Sequence, residues 1–165
     1  MVNFQNRFFN MIDPAGNKHR LIILPQKIAE ETFNGKVKLE KPTALISIVC
    51  KVDEPAKFKK QKNLWLWRMK FDDVGAPITP NSPHERDFIG LRHFVEEVRD
   101  FFCITIHCWQ GLSRSAGVAL AICEYLDWTV DGSEQEFYDD LIDRNFIPNM
   151  WVYRLAEHEL EKGEK

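Results

Sequence analysis

Cysteine and arginine with five residues between them, in His107-Cys108-Trp109-Gln110-Gly111-Leu112-Ser113-Arg114-Ser115, put a nucleophile and a fixed planar cation on one short loop. The preceding Cys103-Ile104-Thr105-Ile106 is β-branched and alternating, as a buried strand would be. The following Ala116-Gly117-Val118-Ala119-Leu120-Ala121-Ile122-Cys123 is apolar and helix-forming. A loop joining a strand to a helix can wrap successive backbone N–H groups around one anion, and the helix N-terminus adds partial positive charge. In that setting the Cys108 thiol is expected to ionise readily, giving the thiolate that nucleophilic attack needs. Gly111 supplies the positive φ of a tight nest, and the Arg114 fork matches two oxygens of a phosphoryl group in a way a lysine cannot. Ser115 can donate its hydroxyl to the sulfur anion, and His107 can brace the loop through its ring nitrogens. Trp109, Gln110, Gly111, Leu112, Ser113 and Arg114 are the candidate phosphate-binding residues, with Trp109 either lining the pocket or packing beneath it.

His-Cys-x-x-Gly-x-x-Arg-Ser resembles the signature loop of the cysteine-based protein tyrosine phosphatases, in particular their compact dual-specificity branch. The alternative for these residues is structural, a buried thiol and an ion-pairing arginine, but the added His107 and Gly111 make a chance match rare. The resemblance implies a general acid on a loop some tens of residues before the cysteine. Asp73, with Pro77 four residues on, fits that pattern in Phe71-Asp72-Asp73-Val74-Gly75-Ala76-Pro77. Asp72 is the alternative, because strand alternation could aim either carboxylate at the phosphate. The implied chemistry has two steps: Cys108 forms a phosphocysteine while Asp73 protonates the leaving group, and water activated by the same carboxylate then releases phosphate. No metal or other cofactor enters this scheme, and the histidines at 19, 84, 93, 107 and 158 show no ligand spacing with cysteine. Chain order separates the sequence from low-molecular-weight tyrosine phosphatases, whose loop is N-terminal. Rhodanese-like domains have a shorter cysteine-to-arginine spacing.

The elements that must position these residues can be read in outline. Strands are expected at His19 to Leu24, Thr43 to Lys51 and Asn63 to Phe71. Helices are expected at Gln26 to Phe33, Glu85 to Phe101, Ser115 to Leu126, Ser133 to Arg144 and Asn149 to Glu161, the last capped by Asn149. This order suggests an α/β fold with a mostly parallel central sheet flanked by helices, and the phosphatase resemblance implies the same. The chain of 165 residues, 44% hydrophobic and 12% aromatic, suits one catalytic domain over 1–165, with 1–18 a partly ordered extension that matches no pattern.

A net charge of −3 argues against nucleic acid as a partner. The absence of an apolar run of roughly 20 residues, or of a secretory leader, argues against a membrane and for a cytoplasmic protein. Four cysteines without a regular framework fit a reducing compartment. The expected substrate is a phosphorylated protein or peptide, with phosphotyrosine preferred, acted on by a monomer. The alternatives are a phosphate-binding module that has lost turnover, or a phosphatase for a non-protein ester. Two further features carry weaker expectations. The lysines of Lys51 to Lys62 form either a solvated loop or a dock for anionic substrate. Cys50, at the end of its strand, is either an inert thiol like Cys103 and Cys123 or, as in some members of the resembled family, a disulfide partner of Cys108.

Overall fold

The computed structural model describes residues 4–162. Its centre is a six-stranded sheet in the order β4-β3-β5-β2-β1-β6, built from β1 (Phe8–Ile12), β2 (Lys18–Pro25), β3 (Thr43–Val49), β4 (Leu64–Lys70), β5 (Cys103–Cys108) and β6 (Thr129–Val130). The four strands β4, β3, β5 and β2 run parallel, whereas β1 pairs antiparallel with both β2 and β6. Every residue of β3 and β5 is buried, the pattern of parallel strands covered on both faces. The helices are α1 (Gln26–Thr32), α2 (Leu91–Val98), α3 (Arg114–Tyr125), α4 (Phe137–Asp143) and α5 (Met150–Glu161).

Successive β5 side chains serve opposite faces. Ile104, Ile106 and Cys108 join the main core with the apolar residues of α3, while His107 lies with Ser47 and Phe58 on the other side. α3 packs closely on α5 at Gly117, where a Cβ would sit 2.6 Å from the Asn149 carbonyl oxygen, so only glycine fits inside this helix.

Three expectations need correction. The single helix expected over Glu85 to Phe101 is a 3-10 turn at Glu85–Phe88 followed by α2, because Gly90 between them adopts φ +90 and the Trp67 ring fills the space of its missing side chain. The helix expected from Ser133 begins at Phe137, since Ser133 instead accepts from the Gln135 N–H in a local turn. Residues 4–18, which carried no recognised pattern, hold β1: Phe9 and Met11 are fully buried between exposed Phe8 and Asn10, a strand alternation that pins this segment into the sheet.

Candidate active site

The loop after β5 is held by its carbonyls. Trp109 O accepts from Gln26 N (3.1 Å), Gly111 O from the Arg7 guanidinium (2.7 Å), Leu112 O from Ile147 N (3.0 Å), and Ser113 O from both Gly117 N and Asn149 N (3.0 and 3.1 Å). All of these donors lie outside the loop. In a planar trans peptide the C=O and the next N–H point to opposite sides. Tying the carbonyls outward therefore turns the N–H groups of Gln110, Leu112, Ser113 and Arg114 to the other side, as an anion nest requires. Gly111 makes the turn possible: its φ is +64, and a Cβ there would lie 2.3 Å from the backbone carbon of Leu24.

The N-terminus of α3 is equally prepared. Ser113 stands at its N-cap, but its hydroxyl makes no cap hydrogen bond and donates instead to Asp73 Oδ1 at 2.9 Å. The first-turn N–H groups are thus left without a side-chain cap, as a helix end that receives an anion should be.

Cys108 ends β5 beside this nest, 2% exposed, with its Sγ 3.1 Å from Ser115 Oγ. Arg114 is 3% exposed; its Nη1 donates to Phe71 O (2.9 Å) and to Cys50 Sγ (3.3 Å), while its Nε makes no hydrogen bond and lies 4.0 Å from Asp73 Oδ2. At that distance the attraction to Asp73 is electrostatic only, and a buried N–H remains open to an oxyanion. Asp73 is anchored by one oxygen, Oδ1, which accepts from Ser113 Oγ and Asn149 Nδ2, both at 2.9 Å.

Cys108, Trp109, Gln110, Ser113, Arg114 and Asp73 line one cleft of about 590 Å³. Asp72 does not line it: its Oδ1 accepts from the Lys51 N–H at 3.0 Å. Trp109 is 63% exposed at the mouth, so it walls the cleft rather than packing beneath it. The part of the Lys51 to Lys62 segment that reaches the cleft is acidic, Asp53 and Glu54, and none of its lysines lines it.

Beneath the loop, His107 is fully buried with Nε2 2.7 Å from Ser47 Oγ. Burial lowers its pKa to about 4, so the ring is neutral at pH 7 and bridges β5 to β3 as a hydrogen-bonding group. Cys50 lines the same cleft as a free thiol; burial pushes its pKa up, against a smaller opposing effect of Arg114.

Sequence reading missed Arg7, Ser47 and the second role of Asn149. Asn149 caps α5, accepting from the N–H groups of Trp151 and Val152 at 3.1 Å, and with its amide also donates to Asp73 and to Val74 O. Only the capping half leaves a local signature.

Among the described residues no cluster of three or more His, Cys, Asp or Glu is arranged to hold a metal ion. No helix of the described residues is long and apolar enough to cross a membrane. No family model matches the chain, and no curated protein matches its sequence. Solved structures do match its shape. A human tyrosine phosphatase-like serine/threonine/tyrosine-interacting protein aligns over 84% of this chain and 89% of its own at 16% identity, with a TM-score of 0.55. A mouse protein assigned as a dual specificity phosphatase, crystallised with zinc tungstate, aligns over 98% of this chain and 91% of its own at 14% identity and a TM-score of 0.53. With its helix-flanked mixed sheet, the chain has the dual-specificity-like fold of the cysteine-based protein tyrosine phosphatases.

Proposed function

We propose that the protein is a phosphoric monoester hydrolase that works through a phosphocysteine on Cys108 and needs no metal. The observation that carries this reading is the convergence, in one cleft, of a thiol hydrogen-bonded to Ser115, a buried guanidinium with a free Nε–H, and the carboxylate of Asp73. In the first step the Cys108 thiolate attacks phosphorus while Arg114 and the inward N–H groups hold the equatorial oxygens. The P–O ester bond breaks, and Asp73 Oδ2, the oxygen not engaged by Ser113 and Asn149, gives its proton to the departing oxygen. In the second step Asp73 takes a proton from water, the oxygen attacks phosphorus, and the P–S bond breaks. The Ser115 hydroxyl donates to the sulfur as it regains its charge. His107 supports the loop from below.

Phosphorylated protein or peptide is the substrate class this reading favours, with phosphotyrosine preferred, because exposed Trp109 offers an aromatic wall to an aryl ester at the mouth. Four free thiols suit a cytoplasmic setting.

The test is hydrolysis of an aryl phosphate in chelator by the wild type and Cys108→Ser, with and without vanadate. Vanadate-sensitive turnover that falls at least about 10⁴-fold on substitution is the expected result. Turnover requiring a divalent ion would remove the mechanism, and no turnover with oxyanion binding retained would support a phosphate-binding module instead.

A further inference from the structure

The phosphate loop is tied outward through four carbonyls, and three of the ties are made by backbone N–H groups, those of Gln26, Ile147 and Asn149 together with the helical N–H of Gly117. Among the described residues, the fourth tie, to Gly111 O, comes from a side chain, Arg7, 104 residues away in sequence. That carbonyl belongs to the peptide with least resistance to flipping, because glycine at φ +64 also accepts other conformations. Arg7 is 9% exposed; its guanidinium donates from Nη1 to Gly111 O at 2.7 Å and to Ile23 O at 3.3 Å, with Cζ 5.7 Å from the centre of the Phe146 ring. Its placement follows from the sheet. Phe8 pairs with Ile22 on β2, and β2 runs beside β5 until Pro25 meets Cys108, so the residue before β1 arrives at the foot of the loop.

We propose that Arg7 is a positioning residue of the phosphate loop, fixing the Gly111–Leu112 peptide with its carbonyl outward and its N–H toward bound phosphate, and holding a buried positive charge behind the anion. The inference rests on reading the loop as a phosphate site. A buried guanidinium requires negative charge or good acceptors nearby, and among the described residues no carboxylate forms an ion pair with Arg7. Its acceptors are two neutral carbonyls. Burial lowers its own pKa, and the Coulombic effect of Cys108 opposes this, so the Arg7 head lies within electrostatic reach of the loop. The segment over which the sequence held no pattern thus completes the electrostatics of the site from outside the motif.

Two variants test this in the full chain, Arg7→Met and Arg7→Lys. Three readouts are needed: the Kd for inorganic tungstate by calorimetry, the rate of Cys108 alkylation by iodoacetamide at pH 7 followed by mass spectrometry, and circular dichroism to establish folding. Arg7→Met is expected to weaken tungstate binding at least about tenfold and to slow alkylation several-fold, since a charge-assisted tie and a buried charge are both lost. Arg7→Lys keeps the charge but, with a shorter side chain and no planar head over Phe146, lacks the reach of Nη1, the one nitrogen that makes both carbonyl bonds. Its alkylation rate is expected within about twofold of wild type and its tungstate affinity about fivefold weaker. A folded Arg7→Met with wild-type affinity and alkylation rate overturns the proposal. If that variant does not fold, Arg7→Lys with wild-type tungstate affinity overturns it. A wild-type protein that fails to bind tungstate defeats the phosphate-site reading itself, and Arg7 is then judged on alkylation alone, where an unchanged rate in Arg7→Met is the refuting result.

Discussion

The loop from Cys108 to Arg114, which we propose holds phosphate, and the Asp73 loop, which we propose supplies the acid, line one cleft but are secured by different means. The first is fixed through its main chain: its carbonyls are tied outward, its glycine has no room for a Cβ, and Cys108 and Arg114 are almost wholly buried. The second has fewer such ties, from Asp72 N to Asn81 O (2.8 Å), from Asn149 Nδ2 to Val74 O (3.0 Å) and from Trp151 Nε1 to Pro83 O (3.0 Å). Its carboxylate is 39% exposed and secured by two side-chain hydrogen bonds. The difference suits the two tasks proposed for them. Stabilising a phosphoryl group takes dipoles that do not reorganise, whereas an acid that later serves as base must exchange protons with both substrate and water. Backbone geometry suits the first task, and a half-wet carboxylate held by replaceable contacts suits the second.

The sharpest break of this contrast is Gly111→Ala. The added Cβ collides with the backbone of Leu24 and Pro25, and the positive φ disfavours alanine, so both loop geometry and stability suffer. We expect tungstate binding to be lost, turnover to fall at least about 10³-fold and the fold to lose about 2 to 4 kcal/mol by denaturant titration. A substitution on the acid loop should behave otherwise. Asp73→Asn should leave tungstate binding and stability near wild type while lowering kcat about 10²- to 10³-fold on a phenyl ester, and much less on an ester whose leaving group needs no proton. Asp72→Asn retains an acceptor for the Lys51 N–H and should change kcat less than about threefold. If Asp72→Asn collapses turnover and Asp73→Asn does not, the acid is the other carboxylate.

The two loops also differed in how much of them could be read in the sequence. Cys108, Gly111, Arg114 and Ser115 are neighbours whose relation is set by a local backbone path, so type and spacing alone brought them to one place. Asp73 comes from its spacing to Pro77 and the family resemblance, with Asp72 as the alternative; the fold places Asp73 in the cleft and Asp72 outside its lining. What could not be read was tertiary. Arg7 and Gly111 are 104 residues apart, Ser47 and His107 60, and Asp73 and Asn149 76. No local pattern announces such pairs. Other omissions were legible in principle: the apolar-polar-apolar run Phe9-Asn10-Met11 marks β1, and Gly90 marks the break before α2.

The buried floor of the phosphate loop gives a pH signature of its own. His107 has a pKa near 4 in the fold against 6.5 for an unperturbed histidine, so between these values the unfolded chain carries a proton that the folded one does not. Stability attached to this residue is therefore complete above about pH 6.5 and is lost as pH falls toward 4, by about 2 kcal/mol between pH 7 and pH 5. Urea titrations at the two pH values should show this loss in the wild type and its removal in His107→Gln. Equal losses in both proteins would mean that other groups carry the acid sensitivity.

A smaller effect than that of Asp73 concerns the clamp that joins the two loops. The Ser113 hydroxyl belongs to the phosphate loop yet binds Asp73, and Asn149 donates to the same oxygen. Ser113→Ala removes one of two hydrogen bonds to a partly exposed carboxylate, so the net contribution at stake is about 1 kcal/mol. Because this contact orients the acid and not the phosphate, kcat should fall about five- to tenfold while tungstate affinity stays within about twofold of wild type. A competing expectation comes from the position of Ser113 at the N-cap of α3, where loss of a capping side chain ordinarily costs stability. Its hydroxyl makes no cap bond here, so the thermal midpoint should hardly move. A drop in tungstate affinity instead of kcat would place Ser113 with the anion nest and would dissolve the division of labour between the two loops.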